Sequence, residues 1–315
     1  MIGAEAVAER QVLTVPYEIA WQGDIPLVVL AEIGSDKIDE TFWNTALEKS
    51  AKRVSIIKLD DVVIDSISAR FIGAIHHITR CGSTTLLQQF GALDRTFALS
   101  EPFIFLELLG RSSADQSRTA MRIKKLVYLF ANGLAAVADK IVVKWPTIAC
   151  RHAPMLNRAL RDVPSVLIVR DAVEVLASIE AKPLGSMRHI APDLLRGPDG
   201  LAAHTSVTTE LARTAILLAA NCRWIAQSRH MHWMDYTQLP DVGWQHVAPM
   251  FGITPNTGDI ARMQQVSAIN AKQPRTAFVS DTAEKRRDAS PVAQSLANDI
   301  LQPAIDEACA ALKSL

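Results

Sequence analysis

The segment of the sequence with the clearest chemical potential is a polar turn that follows an apolar, β-branched run. The run ends at Ile78, and an apolar helical pattern begins at Leu86. A strand that passes through a glycine turn into a helix directs several backbone N–H groups toward one point, where the helix dipole adds positive charge. Gly82 permits close approach of the backbone to a ligand. The turn therefore predicts an anion site built from Arg80, Cys81, Gly82, Ser83, Thr84 and Thr85.

This turn differs from a standard nucleoside triphosphate loop, which is G-x-x-x-x-G-K-[ST] with a lysine directly after the second glycine. Here Ser83 follows Gly82, and the cation Arg80 comes two positions earlier. The stretch R-C-G-S-T-T-L-L resembles instead the R-S-G-[ST]-[ST]-x-L loop of sulfotransferases that use 3′-phosphoadenosine 5′-phosphosulfate (PAPS). The resemblance implies that the turn holds the 5′-phosphosulfate. An ordinary turn with a helix cap is the alternative.

A second strand-to-helix segment follows the same logic. The apolar run Val166–Val169 ends at Arg170, and a helical pattern follows. This segment resembles the sulfotransferase 3′-phosphate motif, R-D-x-x-x-x-x-x-S, which implies that Arg170 and Ser178 bind the 3′-phosphate of PAPS. A guanidinium holds two phosphate oxygens while a hydroxyl on the helix takes a third. Asp171 and Glu174 are interpreted as a capping box for that helix.

The resemblance also implies candidates for catalysis. Sulfuryl transfer, like phosphoryl transfer, passes through a loose transition state, so charge stabilisation on the leaving oxygen matters most. Lys144 ends a strand similar to the family's lysine-ending strand, and Arg80 is the second cation. Glu101 lies in an E-P dipeptide, as in carbohydrate-type members, and a helix N-terminus there would favour its ionised, base-ready form. His152 is the second candidate base.

Other segments carry weaker signals. Met234–Leu239 resembles a Y-E-D-L segment of the family and is interpreted as structural. Arg286 in the polar tail is a candidate for phosphate contacts, with a solvated charged loop as the alternative. Cys81 is either a small loop residue or an unusually acidic thiol. Because His76 and His77 are adjacent on a strand, they point to opposite faces and cannot chelate together. We therefore expect them to pack or to lie at the surface, and we expect no metal.

The composition fits a soluble globular protein. Of 315 residues, 49% are hydrophobic and 21% charged, and the formal net charge is +0, which argues against a nucleic acid or anionic membrane partner. Four scattered cysteines, without CxxC spacing, predict a reducing compartment rather than a disulfide or zinc framework. The N-terminal residues lack the apolar core of a secretory signal, and the apolar stretches are too short to span a bilayer. We therefore expect a cytoplasmic protein.

Alternating strands and helices predict an α/β fold, a P-loop-type parallel sheet flanked by helices on both faces. Ligands of such sheets bind at the carboxyl ends of the strands. Three regions are predicted: a small α+β extension at 1–66, a sulfotransferase-like domain at 67–255, and a polar lid segment with a C-terminal helix at 256–315. The predicted strands are 27–31, 54–59, 71–76, 141–144, 166–169 and 231–234. The predicted helices are 39–51, 86–90, 103–109, 118–138, 152–161, 173–179, 207–227 and 292–312.

The sequence thus predicts a sulfotransferase that moves a sulfuryl group from PAPS to a hydroxyl or amine of a small-molecule acceptor. A P-loop kinase or other nucleotide-binding protein with an aberrant loop is one alternative. A non-catalytic protein that binds PAPS or its product 3′-phosphoadenosine 5′-phosphate (PAP) is another. The acceptor and the oligomeric state stay open, with a homodimer among the options.

Overall fold

The computed structural model describes residues 11–35, 43–65, 69–111, 115–183, 209–228, 230–269, 276–277 and 281–315. The strands are β1 (Val12–Gln22), β2 (Ile25–Gly34), β3 (Lys52–Lys58), β4 (Arg70–His77), β5 (Thr96–Ser100), β6 (Lys140–Lys144), β7 (Ser165–Val169), β8 (Met231–Asp235) and β9 (Lys313–Ser314). The α-helices are α1 (Trp43–Ser50), α2 (Ser83–Gly91), α3 (Ile104–Gly110), α4 (Gln116–Leu134), α5 (Ala153–Ala159), α6 (Ala172–Ala181), α7 (Glu210–Ala226), α8 (Ala248–Met250), α9 (Thr257–Ser267), α10 (Thr282–Asp288), α11 (Pro291–Leu296) and α12 (Gln302–Ala311).

The predicted parallel sheet is confirmed. Six strands lie in the order β5-β6-β4-β7-β8-β9, and all neighbours are parallel. β4 lies in the interior of the sheet and contributes side chains to two cores, one on each face, with a shift in register between Phe71 and Gly73. Ile75 packs with α2, α6, α7 and α12 on one face, whereas Phe71 and Ala74 pack with α3 and α4 on the other. Helices on both faces bury most of β4, β6 and β7, which explains the near-continuous apolar runs of these strands, whereas β9 at the sheet edge is exposed.

The N-terminal region forms an antiparallel sheet in the order β1-β2-β3. A two-residue turn that contains Gly23, with a φ of 60°, joins Gln22 to Ile25. β1 was not predicted, because Pro16 interrupts its apolar pattern and proline argues against a strand. The structure accommodates this proline next to a shift in register between Pro16 and Glu18. Leu13 and Val15 of β1 join the same core as α4.

The C-terminal helix predicted at 292–312 consists of α11, a π-helical segment (Ala297–Leu301) and α12. After it, β9 pairs with β8 at the sheet edge, and the backbone N–H of Leu315 donates to the oxygen of Trp233 over 3.1 Å. The sequence did not predict β5, β9, α8, α9 or α10, and the last of these lies in the segment predicted as a polar lid. Most other predicted elements are confirmed, with ends shifted by a few residues. Residues 39–42 and 207–208 of two predicted helices, and 270–275 and 278–280 of the tail, lie outside the described residues. The division into three regions stays a prediction.

Within the described ranges, no helix combines the length and the apolar character needed to cross a membrane.

Candidate functional site

The carboxyl ends of β6, β4 and β7 lie side by side, so the residues that follow these strands converge at one edge of the sheet. The chain passes from β6 on one side of β4 to β7 on its other side. This crossover opens a crevice above the end of β4, which is the usual ligand position in open parallel sheets. The predicted loop, Glu101, Lys144 and Arg170 all lie along this edge.

The loop after β4 has an unusual backbone. Thr79 and Arg80 have φ angles of 65° and 51°, in the left-handed region that non-glycine residues rarely adopt. Gly82, at φ 80°, is the N-cap of α2, and no side chain of a described residue caps this helix. A Cβ atom at Gly82 would lie 2.6 Å from Cδ1 of Leu239 and 2.8 Å from Cδ2 of Tyr236. This position therefore requires glycine both for its dihedral angle and for its packing.

Of the two alternatives for Cys81, its burial favours the small loop residue over the acidic thiol. The side chain is fully buried, and burial raises its pKa to about 11, although backbone hydrogen bonds with Ile78 and Ser83 act in the opposite direction. Cys81 packs in the core as a small apolar residue. Ser83 and Thr84 are also buried, and Thr85 is partly exposed.

Lys144 connects the loop to Glu101. Its Nζ lies 2.8 Å from Oε1 of Glu101 and 3.3 Å from Oγ1 of Thr84 in the first turn of α2. The lysine side chain is only 1% exposed, whereas Glu101 is 19% exposed. A buried ammonium next to a carboxylate that solvent can reach is an arrangement suited to proton transfer at the crevice.

Glu101 is held by its backbone as well as by Lys144. Its φ is 52°, and its N–H donates to the oxygen of Lys144 over 2.7 Å. The sequence placed Glu101 at a helix N-terminus, but α3 begins at Ile104 with Phe103 as its N-cap. The charge nearest to the carboxylate is therefore Lys144 rather than the dipole of α3.

His77, which the sequence did not assign to the site, lies beside Glu101. Its Nε2 is 3.6 Å from Oε1 of Glu101, and its side chain is 4% exposed. Its Nδ1 accepts a hydrogen bond from the N–H of Thr79 over 3.1 Å and lies 3.2 Å from Oγ1 of Thr147. His76, on the opposite face of β4, is completely buried, and burial lowers its pKa to about 3, so it is neutral.

Arg170 is buried in a network of anionic and polar groups. Its Nε donates to Oε2 of Glu174 over 2.7 Å, and its Nη2 donates to Oδ1 of Asp281 over 2.9 Å. Its Nη1 donates to the oxygen of Arg80 over 3.3 Å, which ties it to the loop. The guanidinium carbon lies 4.0 Å from the ring centroid of Tyr236, a cation–π contact.

Arg286 docks α10 on the start of α6. Its Nε donates to Oε1 of Glu174 over 2.8 Å, and its Nη2 donates to Oδ2 of Asp171 over 3.2 Å. Asp171 caps α6 as predicted, accepting from the N–H of Glu174 over 3.1 Å. The side chain of Glu174 binds Arg170 and Arg286, so the predicted capping box is only half formed. Arg286 therefore lies at the predicted phosphate site but contacts carboxylates there.

Three other predicted residues lie at the margins of this group. Arg80 donates from Nη2 to the oxygen of Lys182 over 2.8 Å, at the end of α6, and burial lowers its pKa. Ser178 is half-buried on α6. His152 lines a cavity of about 400 Å³ together with Arg151 and other residues that do not include the loop. Burial, and then the charge of Arg151, lower the pKa of His152 to about 4.

The sequence missed four residues that contact the predicted ones. Thr147, Tyr236 and Asp281 reach the site from positions far away along the chain, and only Tyr236 lies in a segment that the sequence singled out, where it was interpreted as structural. One signal was present: His77 ends the same strand that leads into the loop, so its position at the crevice followed from the strand itself. The missed residues are His77, Thr147, Tyr236 and Asp281.

Among the described residues, no three or more His, Cys, Asp or Glu side chains cluster as metal ligands would.

No protein-family model and no curated protein matches the sequence. Among solved structures, the chain is similar to the sulfotransferase domain of the curacin biosynthetic pathway, with 12% identity and a TM-score of 0.41, over 73% of this chain and 96% of that one. It is also similar to the sulfotransferase from Alicyclobacillus acidocaldarius, with 13% identity and a TM-score of 0.37, over 63% of this chain and 96% of that one. Both are sulfotransferases, the family whose motifs the sequence resembles. TM-scores this low give no basis for transferring an activity or a substrate, so only the residues of this chain can support a function.

Proposed function

We propose that this protein is a sulfotransferase that moves a sulfuryl group from PAPS to a hydroxyl or amine of a small-molecule acceptor. The observation that carries the proposal is the double contact of Lys144, with Glu101 at 2.8 Å and with Thr84 of α2 at 3.3 Å. A buried cation and a candidate base thus lie at the start of the helix whose loop resembles the 5′-phosphosulfate loop of the family.

The proposed step balances as follows. The acceptor oxygen or nitrogen forms a bond to sulfur, and its proton passes to Glu101. The bond between sulfur and the bridging oxygen of the 5′-phosphate breaks, and its electron pair stays on that oxygen. Because such transition states are loose, positioning and charge stabilisation account for most of the catalysis. Lys144 supplies positive charge for the departing oxygen, and Arg80 is the second candidate.

The ion pair couples the two roles. While Lys144 lies beside Glu101, its charge favours the ionised carboxylate and so makes Glu101 a weak base. When Lys144 moves toward the negative charge that develops on the leaving oxygen, the proton affinity of Glu101 rises. Glu101 thus becomes a stronger base in the same step that creates the leaving group. His152 is a weaker candidate, because it lines a different cavity.

The 3′-phosphate would bind at Arg170, with Ser178 and Arg286 as its further candidate contacts. Glu174 fixes the Nε edge of the guanidinium, while Nη2 contacts Asp281 and Thr282. These partners show that an oxygen-bearing group fits against Nη2. A phosphate at that position has to displace Asp281, because two anions cannot share the same N–H group without strong repulsion.

Calorimetric titration with PAP tests the proposal. We expect wild-type protein to bind PAP and Arg170→Ala to weaken the binding at least about tenfold, the value of a lost charge-assisted hydrogen bond. Arg95→Ala is the matched control, since Arg95 pairs with Asp139 at the opposite end of the sheet strands. Absence of binding, or equal binding by Arg170→Ala, would contradict the proposal.

The same protein preparations separate the alternatives. Magnesium-dependent ATP binding that survives Arg170→Ala would favour a P-loop kinase or another nucleotide-binding protein. PAP binding without sulfuryl transfer across a broad screen of alcohols, phenols and amines would favour a non-catalytic binding protein.

A further inference from the structure

His77 is the strongest feature of the site that the proposed function leaves without a role. The imidazole lies at the end of β4, directly before the loop, and is almost completely buried. It occupies the space between Thr147, which follows β6, and Glu101, which follows β5. A polar ring enclosed by three strand ends is held more rigidly than a side chain on a surface loop.

The contacts of His77 define its tautomer. A backbone N–H can only donate, so the hydrogen bond from Thr79 requires a lone pair on Nδ1. A neutral imidazole with an unprotonated Nδ1 carries its proton on Nε2. Thr79 itself adopts a left-handed φ of 65°. Backbone strain of this kind concentrates at functional sites.

The protonated Nε2 faces Glu101. The distance from Nε2 to Oε1 is 3.6 Å, slightly longer than a hydrogen bond, and Lys144 contacts the same oxygen at 2.8 Å. The ionisable groups around His77 are Glu101, Lys144, His76 on the same strand, and Cys150, whose thiol donates to the oxygen of His77 over 3.6 Å. The hydrogen bond from the N–H of Thr79 to Nδ1 is incompatible with an imidazolium, which carries a proton on both ring nitrogens.

We infer that His77 is a positioning residue for Glu101. When Lys144 moves to the leaving oxygen, the Nε2–H group of His77 closes on Oε1 and holds the carboxylate in place, so that Oε2 takes the proton of the acceptor. This inference rests on the proposed function. It gives the site a chain of contacts from the strained Thr79 peptide through the imidazole to the base.

Two substitutions separate positioning from packing. The side-chain amide of glutamine places an N–H group where Nε2 lies, whereas that of asparagine reaches only the place of Nδ1. We expect His77→Asn to lower kcat by about 10- to 100-fold, the usual effect of losing an outer hydrogen-bond partner. His77→Gln should recover most of this loss, and the KM for PAPS should stay within a few-fold in both variants. Thermal unfolding midpoints and PAP titrations serve to check that both variants are folded.

The pH profile gives a readout that packing alone would not change. A hydrogen bond to a carboxylate stabilises its ionised form and lowers its pKa. Loss of the Nε2–H donor should therefore move the acidic limb of the kcat profile to higher pH in His77→Asn, but not in His77→Gln. Equal kcat values and equal acidic limbs for wild type and His77→Asn would overturn the inference.

Nitrogen-15 NMR of the histidine rings tests the geometry without any ligand. We expect His77 to carry its proton on Nε2, with a chemical shift that changes in Glu101→Gln. A proton on Nδ1, or a shift insensitive to Glu101→Gln, would overturn the coupling of the two residues. A failed PAP titration would instead overturn the proposed function, so the two results are distinguishable.

Discussion

The Nζ of Lys144 lies at a position that water barely reaches, 2.8 Å from the carboxylate of Glu101. Burial of an ammonium is costly unless an anion compensates it, and removal of one partner from such a pair typically costs about 3–5 kcal/mol. Glu101 supplies the compensating charge. The carboxylate thus has a structural role in the absence of ligand and, under the proposed function, a chemical role in its presence.

The first prediction concerns this carboxylate. Glu101→Gln should lower kcat by about 100- to 10,000-fold, the usual contribution of a general base, while PAP still binds. Single-turnover transfer from PAPS measures the loss, and thermal unfolding should show a lower midpoint because Lys144 loses its counter-charge. Glu107→Gln is the control, because the carboxylate of Glu107 accepts the backbone N–H of Ile19 over 2.8 Å, which an amide oxygen can also do. Comparable kcat values for both variants would contradict the role of Glu101.

The second prediction concerns Gly82. Gly82→Ala forces a Cβ into Leu239 and Tyr236 and imposes a left-handed φ on alanine. The dihedral cost alone is about 1–2 kcal/mol. Gly252→Ala is a matched control, since its φ is 73° and nothing lies within 4 Å of the new Cβ. We expect chemical denaturation to show a clearly larger loss of stability for Gly82→Ala. If both variants lose the same free energy of unfolding, the close approach of Tyr236 and Leu239 to Gly82 adds nothing to the cost of the substitution.

Among the elements, α10 is the one that bears most directly on ligand binding. Its start and its basic residues contact the beginning of α6 through alternating charges that involve Arg170, Glu174, Asp281 and Arg286. Burial opposes ionisation of Asp281, but hydrogen bonds from Lys285 and Arg170 prevail and lower its pKa. Asp281 is therefore an anion already in place at the proposed phosphate site.

The third prediction follows from this competition. Asp281→Asn removes the negative charge that contacts Arg170. The variant should therefore bind PAP about tenfold more tightly than wild type, the equivalent of about 1.4 kcal/mol. Calorimetric titration measures the change. Asp288→Asn, at the other end of α10, breaks only an exposed pair with Arg287 and should leave the affinity unchanged. An unchanged or weaker affinity in Asp281→Asn would show that Asp281 does not compete with the phosphate.

The elements also show what the sequence could and could not predict. Local patterns were sufficient for β4, β7, α2 and α6, because a buried strand and a capped helix leave their signature within about ten residues. The loop and Arg170 were predicted because each belongs to one such strand-to-helix unit. β1 was missed because only its pairing with β2 and its packing on α4 compensate for Pro16. Contacts such as Thr147 with His77 and Arg170 with Asp281 join positions 70 and 111 residues apart, a separation at which sequence alone carries no periodic signal.

At the scale of the whole molecule, the two sheets are joined by a charged contact as well as by a shared core. Asp60, just after β3, binds Nε and Nη2 of Arg122 on α4 at 2.8 and 2.6 Å. Arg122 also donates to the oxygen of Asp24 in the turn between β1 and β2. Its guanidinium is buried, so it depends on these acceptors.

The fourth prediction concerns stability against pH. The hydrogen bond from Arg122 is the main cause that lowers the pKa of Asp60 from 3.8 to about 2, against the opposing effect of burial. A carboxylate with a lowered pKa stabilises the fold above its unfolded pKa, and this stabilisation is lost as pH falls through the folded pKa. Asp60→Asn should therefore be less stable by about 1–3 kcal/mol near neutral pH. The difference in free energy of unfolding between Asp60→Asn and wild type should shrink as the pH falls from about 4 to about 2.

Urea denaturation at a series of pH values measures this gap. Asp162→Asn is the control, because its pair with Arg161 is 3.8 Å long and almost fully exposed. A gap that stays constant from neutral to acidic pH would show that Asp60 does not carry the pH dependence.

The strand order also fixes the sequence in which the chain can acquire its structure as it leaves the ribosome. β1, β2 and β3 pair with immediate neighbours, whereas β4 pairs only with β6 and β7, and His77 meets Thr147 after 70 further residues. At about 5–20 residues per second, the nascent loop strand waits several seconds for its first partner. Refolding of the complete chain should follow the same order for a different reason, because contacts between neighbouring strands close shorter loops. Pulsed hydrogen exchange should therefore protect the amide of Val28 before that of Ile75, and the reverse order would contradict this. The loop after β4 is thus encoded early in the chain but completed late, after its partner strands have been synthesised.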